Sequence, residues 1–178
     1  MKIVLVEPEI PPNTGSIGRL CAATNTPLTL VEPLGFSLED KYLKRAGLDY
    51  WPWIDLTVVQ SVEAALGEGR FWLFTTHTER SFDEVEYQPG DALVLGRESV
   101  GLPKSLLEAH PDRCVRIPFA NPKVRSLNLA QCAAIALYEA KGQIRRRGGE
   151  GAITQARLKK QVRTPVKLRL HVVKYIGG

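Results

Sequence analysis

Short apolar runs recur along the chain, and each is four or five residues long. They are rich in valine, leucine, isoleucine and phenylalanine, as is typical of strands buried on both faces of a parallel sheet. The pattern predicts six strands: Lys2–Val6, Leu28–Val31, Leu56–Val59, Phe71–Thr75, Ala92–Leu95 and Cys114–Ile117.

Segments with a helical spacing of apolar residues lie between these runs. The predicted helices are Thr14–Thr24, Glu39–Ala46, Val62–Leu66, Lys104–Ala109 and Leu127–Ile144. Strands that alternate with helices predict an α/β fold, in which helices flank a parallel sheet and the crossovers are right-handed. Ligands of such sheets bind beyond the carboxyl ends of the strands, so the loops that follow the strands form the candidate site.

The chain has 178 residues, which suits one globular domain with a sizeable core. A glycine-rich stretch at 148–151 is its clearest linker. We therefore expect a core domain over residues 1–147 and an extension over residues 148–178. Within the extension, Val166–Ile176 alternates between apolar and polar positions, which predicts a strand at a sheet edge or one swapped with another chain.

Charge is distributed unevenly between these two parts. Residues 1–140 carry 13 Lys/Arg against 18 Asp/Glu, a net charge of −5, whereas residues 141–178 carry 11 against 1, a net charge of +10. A segment this basic suits polyanion binding, because each cation that neutralises a phosphate releases counterions. It is equally typical of a solvated tail, and both interpretations stay open on composition alone.

The composition also argues against several classes of protein. No apolar run approaches the roughly 18 residues of a membrane span, and Met1–Glu9 has the pattern of a strand entering a polar turn. The three cysteines have no CxxC spacing, and the three histidines form no ligand motif. We expect a soluble, cytoplasmic protein with no metal site, no disulfide and no membrane contact.

The loop after the first strand contains three prolines and leads into a helix. Asn13 or Thr14 is expected to cap that helix, and Gly15 and Gly18 would let another backbone or a ligand come close. Arg19 then falls at least one turn inside the helix, where a guanidinium could bind a phosphate or orient a ribose hydroxyl. A surface ion pair is the alternative role for this arginine.

The loop after the fifth strand has Gly96 and Gly101 spaced as in a phosphate loop. Leu102-Pro103 replaces the Lys-Ser/Thr pair that a P-loop requires, and the chain has no GxGxxG motif. Neither a Walker nor a Rossmann nucleotide site is therefore supported. The alternative is a tight turn with Pro103 at the start of the next helix.

The loop from Ile117 to Leu129 joins the sixth strand to the long helix. Its prolines and polar residues would present backbone N–H groups and a small hydroxyl to a ligand in the crevice. Ser126 or Asn128 could instead simply be the N-cap of the helix.

Taken together, the three loops resemble those of the SPOUT superfamily of knotted methyltransferases. Within it the chain resembles the tRNA (cytidine/uridine-34)-2'-O-methyltransferases over residues 1 to about 144. The matching stretches are Ile3–Gly15 with Arg19–Ala22, Glu32–Phe36, Arg45–Tyr50, Gly96-x-Glu98-x-x-Gly101-Leu102-Pro103, Ile117-Pro118, Arg125–Leu129 and Tyr138–Ala140.

This resemblance implies an enzyme that uses S-adenosyl-L-methionine to methylate a ribose 2'-hydroxyl of tRNA. It implies a deep trefoil knot in the C-terminal part of the domain, which general topology rules would not predict. It also implies a homodimer, with RNA contacts partly across the subunit interface.

The resemblance assigns roles to individual residues as well. The implied cofactor contacts are Phe74, Gly96, Ile117, Ser126 and Leu127. The implied catalytic residues are Arg19, Arg125 and Tyr138, and the implied RNA contacts are Asn13, Arg19 and Arg125. Packing on the last helix is an equally good explanation for Tyr138.

The chain departs from the family pattern at three places. Arg97-Glu98-Ser99 replaces Pro-Glu-Thr, Ala130-Gln131 replaces Ser-Asn, and Lys141-Gly142-Gln143 replaces an aromatic-Arg-Gln sequence. Neither of the first two changes removes an implied catalytic side chain. The last one affects the region in which RNA contacts would transfer least well.

Two other functions remain compatible with the sequence. One is a non-catalytic RNA-binding protein that keeps the knot and binds RNA through its basic extension. The other is a 2'-O-methyltransferase that acts on ribosomal RNA or on a different tRNA position.

Overall fold

The computed structural model describes residues 1–38, 50–121 and 123–148, together with the backbone of His171 and Val172. The predicted helix Glu39–Ala46 and most of the strand predicted at Val166–Ile176 lie outside the described residues. None of the described helices is long and apolar enough to cross a membrane.

A parallel sheet forms the centre of the molecule. Its strands run in the order β6-β4-β5-β1-β2-β3-β7. Their bounds are β1 Lys2–Val6, β2 Leu28–Val31, β3 Leu56–Val59, β4 Phe71–Phe74, β5 Ala92–Leu95, β6 Cys114–Val115 and β7 His171–Val172. The register places Ile3 opposite Leu28 on one side and Leu93 on the other, so β1 lies inside the sheet between β2 and β5.

Helices cover both faces of this sheet. They are α1 Pro11–Thr24, α2 Val62–Leu66, α3 Lys104–Ala109 and α4 Leu129–Arg146, with short 3-10 turns at Trp51–Trp53 and Pro111–Arg113. The larger core cluster packs β-strand side chains such as Ile3 and Leu93 against α1 and α4. A smaller cluster on the opposite face includes Val94 and Leu102, with Leu106 and Leu107 of α3 packed against it. The predicted flanked parallel sheet is confirmed.

The start of α1 corrects the expected cap. The helix begins at Pro11, its N-cap is Ile10 without a side-chain hydrogen bond, and Asn13 and Thr14 are buried inside the first turns. Proline fits the first turn of a helix because its missing N–H would have had no intrahelical partner there. Neither Asn13 nor Thr14 is therefore the cap.

One element from the C-terminal extension joins the sheet. The backbone of His171 and Val172 pairs in parallel with Thr57 and Val58 of β3, at the edge of the sheet opposite to β6. This pairing provides hydrogen-bond partners for an edge that β3 would otherwise leave open.

Candidate functional site

A cleft of about 540 Å³ opens at the carboxyl ends of β4 and β5. The loop after β4, the loop after β5 and the loop that joins β6 to α4 form its walls, with the start of α1 at one side. Its lining includes the apolar side chains of Phe74, Leu95, Ile117, Leu127 and Leu129. Polar groups of Thr75, Glu98, Ser126 and Asn128 also line it. The crevice lies where a parallel sheet is expected to bind its ligand.

The loop after β5 is closed on itself by two hydrogen bonds. The Arg97 amide donates to the Gly101 carbonyl over 3.1 Å, and the Gly101 amide donates to the Arg97 carbonyl over 2.9 Å. Gly101 has a φ of 76°, a conformation that glycine adopts without strain. A Cβ added to Gly96 would lie 2.2 Å from the Gly101 carbonyl carbon, so only glycine fits at this position.

Glu98 links this loop to the start of α1. Its carboxylate accepts hydrogen bonds from the amides of Glu9 at 2.9 Å and Ile10 at 3.3 Å, and from Asn13 Nδ2 at 3.0 Å. The amide groups at the beginning of a helix have no intrahelical acceptor, so a carboxylate is a favourable partner. One side chain thereby fixes the loop after β5 against a helix that lies 85 residues away in sequence.

Asn13 also connects the start of α1 to the loop between β6 and α4. Its Oδ1 accepts a hydrogen bond of 2.9 Å from Asn128 Nδ2, and its side chain is only 9% exposed in total. Asn128 in turn is the N-cap of α4, because its Oδ1 accepts from the amides of Ala130 and Gln131. The choice between Ser126 and Asn128 as cap is therefore settled in favour of Asn128.

A second link joins the loop after β1 to the loop after β5. The Ser99 amide donates to Glu9 Oε2 over 3.0 Å, and the Ser99 hydroxyl donates to Glu9 Oε1 over 2.8 Å. The Glu9 carboxylate thus accepts hydrogen bonds from the loop after β5, and the Glu98 carboxylate accepts them from the residues at the start of α1. We refer to Glu9, Asn13, Glu98, Ser99 and Asn128 as the loop network.

All five residues that the sequence assigns to the cofactor line this one cleft: Phe74, Gly96, Ile117, Ser126 and Leu127. Arg125 and Asn13 line it as well. The structure thus brings together side chains from three loops that are far apart in sequence. Their individual roles remain predictions.

Arg19 and Tyr138 do not line the cleft. Arg19 lies on the exposed side of α1, with its guanidinium carbon 4.5 Å from the centre of the Tyr50 ring. Tyr138 lies on α4, and 62% of its surface is exposed. Within the described chain these two predicted catalytic residues are separate from the predicted cofactor contacts.

A second cleft, of about 870 Å³, lies on the α3 side of the same sheet edge. The 97–101 loop separates it from the first cleft, and Arg97 contributes to both. Its charged groups are paired with each other: Arg97 with Glu7, and Lys104 with Glu108 at 3.4 Å. It is the larger of the two cavities, and loops after β1, β4 and β5 border it, but none of the five residues that the sequence assigns to the cofactor lines it.

Each cleft contains one cysteine. Cys132 lines the first cleft and Cys114 lines the second. Burial raises the pKa of both thiols, so both are largely protonated at neutral pH. No group of three or more His, Cys, Asp or Glu residues suited to a metal ion occurs in the described part of the chain.

Sequence reasoning did not identify the loop network or the contact between Arg19 and Tyr50. Glu98 and Asn13 were visible within the motifs, but their partners could not be deduced, because the pairs are separated by 85 and 115 residues. The signal that could have suggested them is the presence of a carboxylate between two glycines that force a tight turn.

The family profile described as "SpoU rRNA Methylase family" matches residues 1–138 of the chain. The chain is similar to the tRNA (cytidine(34)-2'-O)-methyltransferase of Methylovorus glucosotrophus, with 50% identity over 142 residues that cover 78% of this chain and 92% of the relative.

Solved structures give the same picture. The fold matches a structure described as "Structural insights into the 2-OH methylation of C/U34 on tRNA", with a TM-score of 0.75, 44% identity, and coverage of 82% of this chain and 97% of that one. A more distant match in fold alone is the AdoMet-bound rRNA methyltransferase of Sinorhizobium meliloti, with a TM-score of 0.71, 23% identity, and coverage of 80% and 56%.

Proposed function

The chain belongs to the SpoU rRNA methylase family, and we propose that it transfers a methyl group from S-adenosylmethionine to the ribose 2'-hydroxyl of nucleotide 34, the wobble cytidine or uridine of a tRNA anticodon. The observation that carries this proposal is the gathering of Phe74, Gly96, Ile117, Ser126 and Leu127 around one cleft. The substrate is supported by the high identity to a relative named for the same reaction.

The cleft suits the chemical groups of S-adenosylmethionine. Apolar side chains such as Phe74, Leu95 and Leu127 can enclose an adenine ring, and Ser126 at the exposed rim offers a hydroxyl to polar groups. When bound, S-adenosylmethionine supplies the electrophilic methyl group. The residues of the cleft bind it, orient it and limit its access to water, while the loop network holds the loop after β5 and the loop between β6 and α4 against the start of α1.

We assign Arg19 to positioning of the RNA. An arginine keeps its proton near neutral pH, so it is a poor general base, but its planar fork binds a phosphate or a ribose hydroxyl with defined geometry. The proton of the attacking hydroxyl would pass to an RNA phosphate or to water. Arg19→Lys keeps the charge and loses the fork, so we expect a large fall in kcat with little change in cofactor affinity; near-normal turnover by this variant would contradict the assignment.

We further propose a homodimer in which Arg19 and Tyr138 of one subunit complete the cleft of the other. Their position outside the cleft of their own chain supports this arrangement, as do the exposed apolar side chains of Ile135 and Tyr138 on α4. Mixing an Arg19→Ala protein with a Gly96→Val protein should produce hybrid dimers with activity that neither parent has. If hybrid dimers form but remain inactive, each subunit works with its own Arg19.

The implied trefoil knot belongs to this proposal too, with residues 1–147 as the knotted domain and residues 148–178 as a basic extension. The basic residues of 141–178 are proposed to add nonspecific affinity for tRNA with a steep salt dependence. Truncation after Gly148 should lower tRNA affinity and flatten its dependence on salt. Unchanged affinity and slope would assign the extension to another task, such as subunit contact.

The decisive experiment is mass-spectrometric mapping of 2'-O-methyl groups on tRNA incubated with the protein and S-adenosylmethionine. Methylation confined to nucleotide 34 is expected, in keeping with action on cytoplasmic tRNA. Methylation elsewhere would identify a different RNA site, and no methylation together with no S-adenosylhomocysteine affinity in calorimetry would indicate a non-catalytic RNA-binding protein.

A further inference from the structure

Two aromatic side chains of the turn that contacts Arg19 are exposed in a way that packing does not explain. Tyr50 and Trp53 are 38% and 43% exposed, whereas Trp51 between them is half-buried and packs against the main core. Trp51 and Ile54 also lie against Gly18 of α1, where the absence of a side chain leaves room for them. The structural role of this turn is therefore carried by Trp51, and the outer rings are free for another one.

The geometry of the turn places the two outer rings on one side. The Trp53 amide donates to the Tyr50 carbonyl over 2.9 Å, which closes a 3-10 turn. Side chains three residues apart in such a turn are nearly eclipsed, so Tyr50 and Trp53 point in a similar direction. The two exposed rings thus project from the same side of the turn.

A cation completes the group. The Arg19 guanidinium carbon is 4.5 Å from the centre of the Tyr50 ring, a distance typical of cation–π stacking. Among the residues that the structure describes, no carboxylate forms a salt bridge with Arg19. Its charge is therefore available to an anionic ligand next to the aromatic rings.

From this arrangement we infer that Tyr50, Trp53 and Arg19 form a stacking site for an unpaired nucleobase of the RNA substrate. Aromatic rings and arginine planes bind single-stranded RNA by stacking on its exposed bases, and a guanidinium beside them pairs with the adjoining phosphate. Double-stranded RNA offers no such faces, because its bases are stacked within the helix. The site therefore selects a looped or single-stranded segment.

The location fits a role during methylation. Arg19 is six residues beyond Asn13, roughly 9 Å further along α1 at the rise of an α-helix. Asn13 lines the cleft of the same chain, so the aromatic site lies on the helix that borders that cleft. In the proposed homodimer Arg19 completes the cleft of the partner subunit, and a base held at the aromatic site would lie next to that cleft. This inference rests on the proposed function in one respect, namely that RNA is the substrate.

The test compares ring-removing and ring-preserving variants. The probe is a single-stranded oligoribonucleotide containing 2-aminopurine, whose fluorescence is quenched when the base stacks. Tyr50→Leu and Trp53→Leu are expected to lower its affinity by roughly tenfold each and to reduce the quenching, in the range found for loss of one stacked base. Tyr50→Phe and Trp53→Phe keep a ring, and their affinity should stay near that of the unchanged protein.

Three further measurements decide between this site and other roles for the same surface. In the leucine variants we expect three quantities to stay unchanged: the affinity for a blunt RNA duplex, the salt dependence of binding and the affinity for S-adenosylhomocysteine. The reason is that neither the phosphate contacts nor the cleft is altered. Unchanged single-strand affinity in both leucine variants would overturn the inference. A change in the oligomeric state of the leucine variants in solution would also overturn it, because the rings would then belong to an interface between two copies of the chain.

The outcomes also separate this site from the proposed function. Suppose that stacking is lost in the leucine variants and that the unchanged protein does not methylate nucleotide 34. The stacking site would then be supported and the proposed function refuted. Methylation of nucleotide 34 with no effect of the leucine substitutions would do the reverse.

Discussion

The two clefts at the carboxyl edge of the sheet share a wall but differ in how they are built. The cleft on the α4 side is smaller, about 540 Å³ against about 870 Å³, yet all five residues assigned to the cofactor line it, and the loop network fixes the loop after β5 and the loop between β6 and α4 to the start of α1. On the α3 side the charged groups are paired with each other, Arg97 with Glu7 and Lys104 with Glu108. The gathering of the predicted cofactor contacts and the presence of the loop network, and not volume, distinguish the candidate site.

Gly96→Ala should have the largest effect, because it disturbs the wall that the two clefts share. Its Cβ would lie 2.2 Å from the Gly101 carbonyl carbon and 2.3 Å from the Leu102 nitrogen, so the wall between the clefts must move. We expect the free energy of unfolding to fall by at least about 2 kcal/mol and S-adenosylhomocysteine affinity to fall more than about tenfold. Denaturant unfolding and calorimetry would measure the two effects.

The matched control is Gly142→Ala, another buried glycine. The nearest atom to its added Cβ is the flexible end of Arg146 at 3.1 Å, and alanine favours a helix. Its unfolding free energy should change by less than about 1 kcal/mol. Equal losses in the two variants would mean that the Gly96 contact has no special importance.

Glu98→Gln should have the next largest effect, because it replaces an acceptor of three hydrogen bonds by an amide with one acceptor atom. Hydrogen bonds to a charged group contribute about 2 kcal/mol, and we expect a stability loss of that order together with weaker cofactor binding. On the other side of the wall, Glu108→Gln removes only an exposed pair with Lys104 and should change stability by less than about 0.5 kcal/mol. Similar losses for both would show that the α3-side cleft depends equally on its carboxylates.

Substitution of Asn128 should separate two functions of one side chain. Asn128→Ser keeps a cap for α4 and loses the bond to Asn13, whereas Asn128→Ala loses both. We expect stability losses of about 1 kcal/mol for serine and about 2 kcal/mol for alanine, with cofactor affinity reduced to a similar extent in both. Full cofactor affinity in the serine variant would show that the bond between Asn13 and Asn128 does not shape the cleft.

The alkylation rates of the two cysteines should show the smallest effect, but they compare the two clefts most directly. Because burial raises the pKa of both thiols, alkylation at neutral pH should be slow and should accelerate about tenfold per pH unit as the thiolate fraction grows. S-adenosylhomocysteine should protect Cys132, which lines the α4-side cleft, and leave the rate at Cys114 unchanged. Mass spectrometry of the labelled peptides would measure both rates; protection of Cys114 alone would place the cofactor in the other cleft.

The sheet could be predicted closely from the sequence. The bounds of β1, β2, β3 and β5 are confirmed, because buried parallel strands appear as short continuous apolar runs. The sixth strand was predicted to reach Ile117 and ends at Val115, since beyond that residue the loop turns into the cleft. Helix α4 was predicted to begin at Leu127 and begins at Leu129, after the Asn128 cap.

The cleft could be predicted only in part. Its cofactor-side residues were identified from a resemblance of motifs, and the structure brings them together. The contacts that hold it could not be predicted, because local patterns carry no information on which distant side chain a carboxylate meets. Asn13 illustrates this limit: as a short polar residue near a helix start it suggested a cap, whereas its amide is used between Glu98 and Asn128.

The distances in sequence between those partners have a consequence for the synthesis of the protein. The bond between Asn13 and Asn128 spans 115 residues, and Lys141 Nζ reaches back over 117 residues to the Thr24 carbonyl at the end of α1. Contacts of this span form late in folding, because the chain between them must be ordered first. A nascent polypeptide on the ribosome therefore lacks the complete cleft until α4 has emerged, and on the proposed function we expect that an interrupted translation product without α4 does not bind S-adenosylmethionine.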